Sequence, residues 1–208
     1  MLDLPLLFAF LGAAALLTVT PGVDTAMVLR AAALDGRRAA LMAAAGIALG
    51  CLGWGAAVSL GLGALLQASE LAYTLVRLAG AGYLIWLGGR MLLRPRADFA
   101  ATAGEGAALQ AGEAFRRGLL TNLLNPKVGV FYVTFLPQFV PAGASVAGYS
   151  FVLACLHVLL TLAWFGVLIA ATLPLGRLLR RPALIRALDR LTGGVLLAFG
   201  GKLAASAP

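Results

Sequence analysis

Charged residues cut the chain into long apolar blocks. None occurs from Leu4 to Val23, from Ala39 to Ser69, or across the 49 residues from Val128 to Gly176. The last stretch is long enough for two membrane spans, with Pro141-Ala-Gly-Ala-Ser145 as the turn between them. Shorter charge-free cores run from Leu78 to Gly89 and from Leu191 to Gly201, and flanking apolar residues extend each to span length. The pattern predicts an all-α polytopic membrane protein with helices at about 4–33, 39–66, 71–93, 116–140, 146–173 and 183–203. The first block is expected to remain as a helix, because a cleaved signal peptide opens on positive charge and this chain opens Met1-Leu2-Asp3.

Composition agrees with six spans. At 62% hydrophobic, the 208 residues include about 129 apolar ones, and six spans of ~21 residues need about 126. Only 12% of residues are charged, against about 25% in a soluble domain, which excludes a water-solvated globule. Two cysteines and one histidine build neither a disulfide framework nor a metal site, and no motif points to a cofactor.

A net charge of +8 would suggest nucleic acid if the charges were clustered on a soluble surface, but they lie between the blocks. Thirteen of the sixteen Lys and Arg follow helix 1, bracket the loop between helices 3 and 4, or precede and open helix 6. The opposite side has Arg77 and Lys202, and Lys127 falls inside a span. By the positive-inside rule both termini face outward, and the basic charge sets topology instead of binding a polyanion.

The halves resemble each other. Helix 3 begins Arg77-Leu78-Ala79-Gly80 and closes Gly88-Gly89-Arg90, while helix 6 begins Arg190-Leu191-Thr192-Gly193 and closes Gly200-Gly201-Lys202. Helices 1 and 4 each hold a mid-span proline, Pro21 and Pro126. Three spans per copy is an odd number, so the copies are expected to be inverted. The chain reads as a single transmembrane domain over 1–208: repeat 1 at about 1–96, a flexible cytoplasmic linker at 97–114, and repeat 2 at about 115–208.

Proline removes a backbone donor and clashes with the preceding turn, so Thr20-Pro21-Gly22 and Asn125-Pro126 are expected kinks or breaks. Irregular backbone at membrane depth is tolerated where it is buried in protein or lines a watery cavity, and paired breaks in inverted repeats form transport sites. The deep charges follow these breaks. Lys127 lies ~16 Å from its helix end, beyond the ~6 Å reach of its side chain, and Asp24 lies ~9 Å from Arg30 along the axis. Each costs about 2.5–3.5 kcal/mol facing lipid, so both are expected to face inward. Two arrangements fit: a structural ion pair, or a polar cavity in which Asp24 holds a proton or an amine and Lys127 with the Asn125-Pro126 break meets a carboxylate.

Thr20 shares a helical face with Asp24, and Asn122, Asn125, Gly129 and Tyr132 share one in helix 4, so that one cavity is expected to take them all. Gly46 and Gly50 form a GxxxG pair suited to close helix packing. His157 reads as a histidine hydrogen-bonded within the bundle. Cys51 and Cys155 occupy nearly matching places in the two repeats, which raises the alternative of a transmembrane thiol/disulfide electron carrier. No Ser/His or paired-Asp arrangement suggests a hydrolase, and the chain is not expected to be an enzyme.

Three motifs carry a resemblance over nearly the whole chain: Thr20-Pro21-Gly22-Val23-Asp24-Thr25-Ala26-Met27-Val28-Leu29-Arg30, Gly118-Leu119-Leu120-Thr121-Asn122-Leu123-Leu124-Asn125-Pro126-Lys127, and Phe135-Leu136-Pro137-Gln138-Phe139. Together they resemble the LysE/RhtB family of bacterial amino-acid exporters. The resemblance implies a secondary exporter of amino acids or related metabolites in the bacterial cytoplasmic (inner) membrane, driven by the proton gradient. Its implied partners are such a substrate, protons and the lipid bilayer, with a homo-oligomer left open. Val23 departs from the family's frequent second proline at this place.

Overall fold

Asp3 starts the first helix by accepting the Leu6 N–H at 3.1 Å, with Pro5 in the opening turn where no donor is needed. The computed structural model describes residues 3–68, 70–95, 110–171 and 181–205. Within them all regular structure is helical: α1 (Leu4–Val19), α2 (Val23–Arg30), α3 (Arg37–Ala68), α4 (Glu70–Leu93), α5 (Ala111–Leu123), α6 (Pro126–Val130), α7 (Val146–Ala170) and α8 (Pro182–Ala205). A π-helical turn, Ala31–Asp35, extends α2 and ends at Gly36, whose φ of +88° favours glycine. Its last residue, Asp35, pairs with Arg30 at 3.2 Å across the turn. A second π-helical turn, Phe131–Phe135, and a 3-10 turn, Leu136–Phe139, extend α6. Ser145 caps α7 by accepting the Gly148 N–H at 3.3 Å.

Both proline positions are true breaks. α1 and α2 meet at 54°, as do α5 and the α6 extension. Pro21 has no N–H to give to the carbonyl of Leu17, four residues earlier, and Thr20 and Gly22 are extended (ψ 116° and −170°). At the other break Asn125 leaves the helix and its side chain accepts the Lys127 N–H at 3.1 Å, capping α6.

Two helices among the described residues are long and apolar enough to cross a bilayer alone, Arg37–Gly61 and Val146–Ala170, and the two bent pairs raise the number to four. The apolar part of α4, Leu78–Leu93, is shorter. The six-span expectation is thus met in part, because α4 and α8 carry Arg and Lys near both ends. The linker also ends earlier than the sequence suggested. Residues 111–114 are the first turn of α5, where Glu113 pairs with Arg117 at 2.6 Å in the i,i+4 arrangement that supports a helix start. Positions 96–109 lie outside the described residues.

The main packing joins α3 to α5, α4 to α8, and α3 to α7. Small residues allow the close approaches. Gly46 lies on the α5 backbone, with its Cβ position 2.8 Å from the Leu119 nitrogen, and Gly118 lies on the carbonyl of Ala43. α4 and α8 cross antiparallel: a Cβ built on Gly88 or Gly193 would fall 2.7 Å from the other's carbonyl oxygen, and one built on Gly200 would fall 3.1 Å from that of Ala81. Large apolar side chains face outward, and the mainly apolar interior also encloses polar ones. Leu60, Leu93 and Leu124 are 75%, 84% and 79% exposed, while Thr20, Asn122, Ser150, His157 and Asp189 are buried. Asp189 of α8 is thus a second carboxylate, besides Asp24, enclosed among the helices.

Candidate functional site

The two breaks face each other across a small polar cavity of about 40 Å³, lined by residues that include Thr20, Asp24, Cys51, Asn125, Lys127, His157 and Thr161. That is room for about one water molecule and for no amino acid.

Asp24 stands in the first turn of α2. Its Oδ2 accepts the Asn122 side-chain amide at 2.8 Å, and Asn125 and Lys127 also face the carboxylate. The other oxygen, Oδ1, is buried and has no hydrogen-bond partner, as is true of the Asn122 Oδ1. A buried carboxylate oxygen left in this condition is where a proton or an ammonium group would be held. The same Asn122 amide lies 3.3 Å from the Cys51 Sγ, and the Tyr132 hydroxyl is beside that sulfur. Tyr132 in turn shares a 2.9 Å hydrogen bond with Nδ1 of His157.

Lys127 reaches out of the second break into the first. Its ammonium donates to the carbonyls of Leu17 and Thr20, each at 3.1 Å, at the end of α1. Thr20 donates its hydroxyl to the carbonyl of Leu16 at 2.7 Å and lies 2.6 Å from the Thr192 hydroxyl of α8. Gly22 faces Lys127 with ordinary clearance, 3.9 Å from a built Cβ to the ammonium nitrogen. Its role, like that of Pro21, is in the break itself, and Pro126 has the matching place at the start of α6.

Thr20, Asp24, Asn125 and Lys127 therefore line one cavity, with Asn122 directly behind Asp24. The shared face read from Asn122 through Asn125 and Gly129 to Tyr132 is not one surface. It assumed a continuous helix, whereas the chain breaks between Asn122 and Asn125. Gly129 is turned towards Trp54 and a separate, mainly apolar cavity of about 420 Å³, while Tyr132 is turned towards His157. Thr161 and Thr192 gave little signal, since threonine in an apolar helix usually serves interhelical packing. Cys51 and His157 also line the cavity, and Tyr132 stands behind them. Both cysteines are free, and nothing in the structure supports the thiol-carrier alternative. Among the described residues no three His, Cys, Asp or Glu side chains are grouped to hold a metal.

The LysE type translocator family model matches residues 15–207. Curated relatives include the threonine efflux protein of Salmonella typhimurium, 32% identical over 187 residues that cover 88% of this chain and 89% of the relative. The leucine efflux protein of Enterobacter sp. is 31% identical over 199 residues, covering 90% of each chain. An uncharacterized membrane protein of Vibrio cholerae is 32% identical over 204 residues and 98% of each chain. No solved structure matches.

Proposed function

The chain belongs to the LysE type translocator family, and from that premise we propose that it is a proton-coupled secondary exporter of amino acids across the bacterial inner membrane. The relatives named for threonine and leucine efflux support the substrate class. The observation that carries the reading is the meeting of Asp24 and Lys127 at one small cavity between two broken helices. A partly buried acid and a partly buried base at that depth cost energy that a lipid-facing scaffold has no reason to spend.

In this reading six spans form two inverted repeats with both termini outside. The reciprocal contacts of α4 and α8 support the symmetry: carrying Gly80 onto Gly193 and Gly88 onto Gly200 turns the Gly88–Gly193 contact into a Gly80–Gly200 one, a single residue from the Ala81–Gly200 approach. The amino acid enters from the cytoplasm, with its amine towards Asp24 and its carboxylate towards Lys127. Asp24 binds the amine and a proton alternately, and a proton arriving from outside displaces the amine and resets the carrier. A cavity of about 40 Å³ must enlarge for loading, and in this reading the narrow arrangement is the closed conformation of the cycle.

The test is export of L-threonine and L-leucine from cells loaded with the matching dipeptides, comparing the unaltered protein with Lys127→Met. The variant should reach the membrane and export neither amino acid. Normal export by Lys127→Met would assign the lysine a structural role only. Absence of export by the unaltered protein, across a panel of amino acids, would remove the substrate class.

A further inference from the structure

Resting on the exporter reading, we infer that the carbonyl oxygens of Leu17 and Thr20 form the seat for the substrate's α-ammonium group, and that Lys127 fills this seat in the closed conformation. The seat is a direct product of the sequence. In a continuous helix the carbonyl of Leu17 would accept from the backbone N–H of residue 21, and that residue is proline. The carbonyl of Thr20 lies at the break, where the first helical bond of α2 runs from the Ala26 N–H to the Gly22 carbonyl. Both carbonyls therefore lack helical donors and stand at the negative end of the 16-residue α1. The cation they attract is a primary ammonium, held by two hydrogen bonds of 3.1 Å.

A primary ammonium on a lysine side chain and one on the α-carbon of an amino acid offer the same three donors. The Asp24 Oδ1, buried and without a partner, lines the same cavity and can accept the third. Lysine and substrate thus compete for one seat. An arriving amino acid places its ammonium on the two carbonyls, and the displaced Lys127 ammonium becomes available to the substrate's carboxylate. One exchange accounts for recognition of both ends of the zwitterion. It also means that the site presents a cation to the two carbonyls in the closed conformation as well as in the loaded one.

Competition gives an inverted expectation for a ligand with no carboxylate. When a tethered group holds a seat, apparent affinity falls in proportion to the fraction of time the seat is taken. Removing Lys127 should weaken L-leucine binding, which loses its carboxylate partner, but strengthen binding of isopentylamine, the same compound without its carboxylate. Calorimetry on the purified full-length protein in lipid nanodiscs should show the amine bound about tenfold more tightly by Lys127→Met than by the unaltered protein. L-Threonine and 1-amino-2-propanol provide a second pair. Amine affinity that is unchanged or reduced in the variant overturns the seat, as does a lack of amine binding by both proteins.

Should Lys127→Met fail to fold, the unaltered protein still decides the matter. N,N,N-trimethyl-leucine keeps the positive charge and loses all three N–H donors, so it should bind about tenfold or more weakly than L-leucine. Equal binding, or binding of neither compound, rejects the seat. The two readings fail separately: tight amine binding by the variant with no amino-acid export by the parent sinks the exporter alone. Export of leucine with no gain in amine affinity sinks the seat alone.

Discussion

Three glycines on one face region of α3 give a graded test of how the site is held. At Gly50 a built Cβ falls 2.6 Å from the Asn122 Oδ1 and 2.9 Å from its Cβ. Ordinary contact needs ~3.5 Å, so Gly50→Ala must push Asn122 back by about 0.9 Å. Asn122 is fully buried, and its 2.8 Å bond to Asp24 would then stretch beyond hydrogen-bond length. Overpacking costs about 1–3 kcal/mol and the charge-assisted hydrogen bond about 1.5–3 kcal/mol, while replacing a mid-helix glycine returns about 1 kcal/mol. The net is a loss of roughly 1.5–5 kcal/mol, centred on the groups that hold Asp24. At Gly53 the nearest atom is the Leu123 Cδ2 at 3.7 Å, an ordinary contact, so Gly53→Ala should be neutral. At Gly46 the obstacle is the backbone of Phe115 and Leu119, which cannot rotate away, so Gly46→Ala should fail to accumulate as folded protein. Thermal unfolding in detergent and leucine efflux in cells measure the series. If Gly50→Ala matches Gly53→Ala in both, the placement of α3 against Asn122 is wrong.

Two further outcomes follow from charge. Single cysteines replacing Glu105 and Ala205, in a chain otherwise free of cysteine, should react with an impermeant thiol reagent on whole cells only at position 205; labelling of position 105 alone would reverse the topology drawn from the Lys and Arg distribution. Asp24→Asn resembles the protonated acid but cannot release a proton, so in proteoliposomes it should lose uphill export driven by a proton gradient while retaining exchange of substrate across the membrane. Uphill export by this variant that still collapses with a protonophore would pass the proton to another group, His157 being the nearest candidate on the cavity wall.

The site was legible where burial makes a residue expensive. Asp24 and Lys127 stand out in a sequence because charge in a span must be compensated, and Pro21 and Pro126 because a missing donor must be absorbed by the backbone. The same reasoning found the helices to within a few residues. It failed where the outcome depends on which helices touch. Nothing in the spacing of Tyr132 and His157 says that their side chains meet at 2.9 Å, because the π-helical turn Phe131–Phe135 resets the angle of Tyr132 on its helix. Likewise, the Ala111-Gly-Glu-Ala114 stretch has the composition of a linker, yet it starts α5. The two ammonium bonds of Lys127 were hidden for another reason: backbone carbonyls carry no sequence label, and only the proline four residues after Leu17 hints that one is unsatisfied.

The way the halves of the chain interlock decides which parts can move. α3 with α5, α4 with α8 and α3 with α7 each join an element of the first half to one of the second, and the glycine approaches make these joints close. Separating the halves as two bodies would break all three. α1 is different in its broken end: the helix packs on α7, α8 and the Leu136–Phe139 turn, with Phe10 against Phe131 and Phe139, but the end itself is tied by the Lys127 bonds and by Thr20 against Thr192. Such bonds can be exchanged for bonds to a substrate at little net cost, unlike buried backbone contacts. On the proposed exporter reading, the break at residues 20–22 is the expected hinge for enlarging the cavity, with α3, α5 and α7 as the frame. Cysteines replacing Thr20 and Thr192 would link α1 to α8 on oxidation, and export should stop and return on reduction. An oxidised, fully linked protein that still exports would place the motion elsewhere, while a link between Gly53→Cys and Leu123→Cys, inside the frame, should leave export intact.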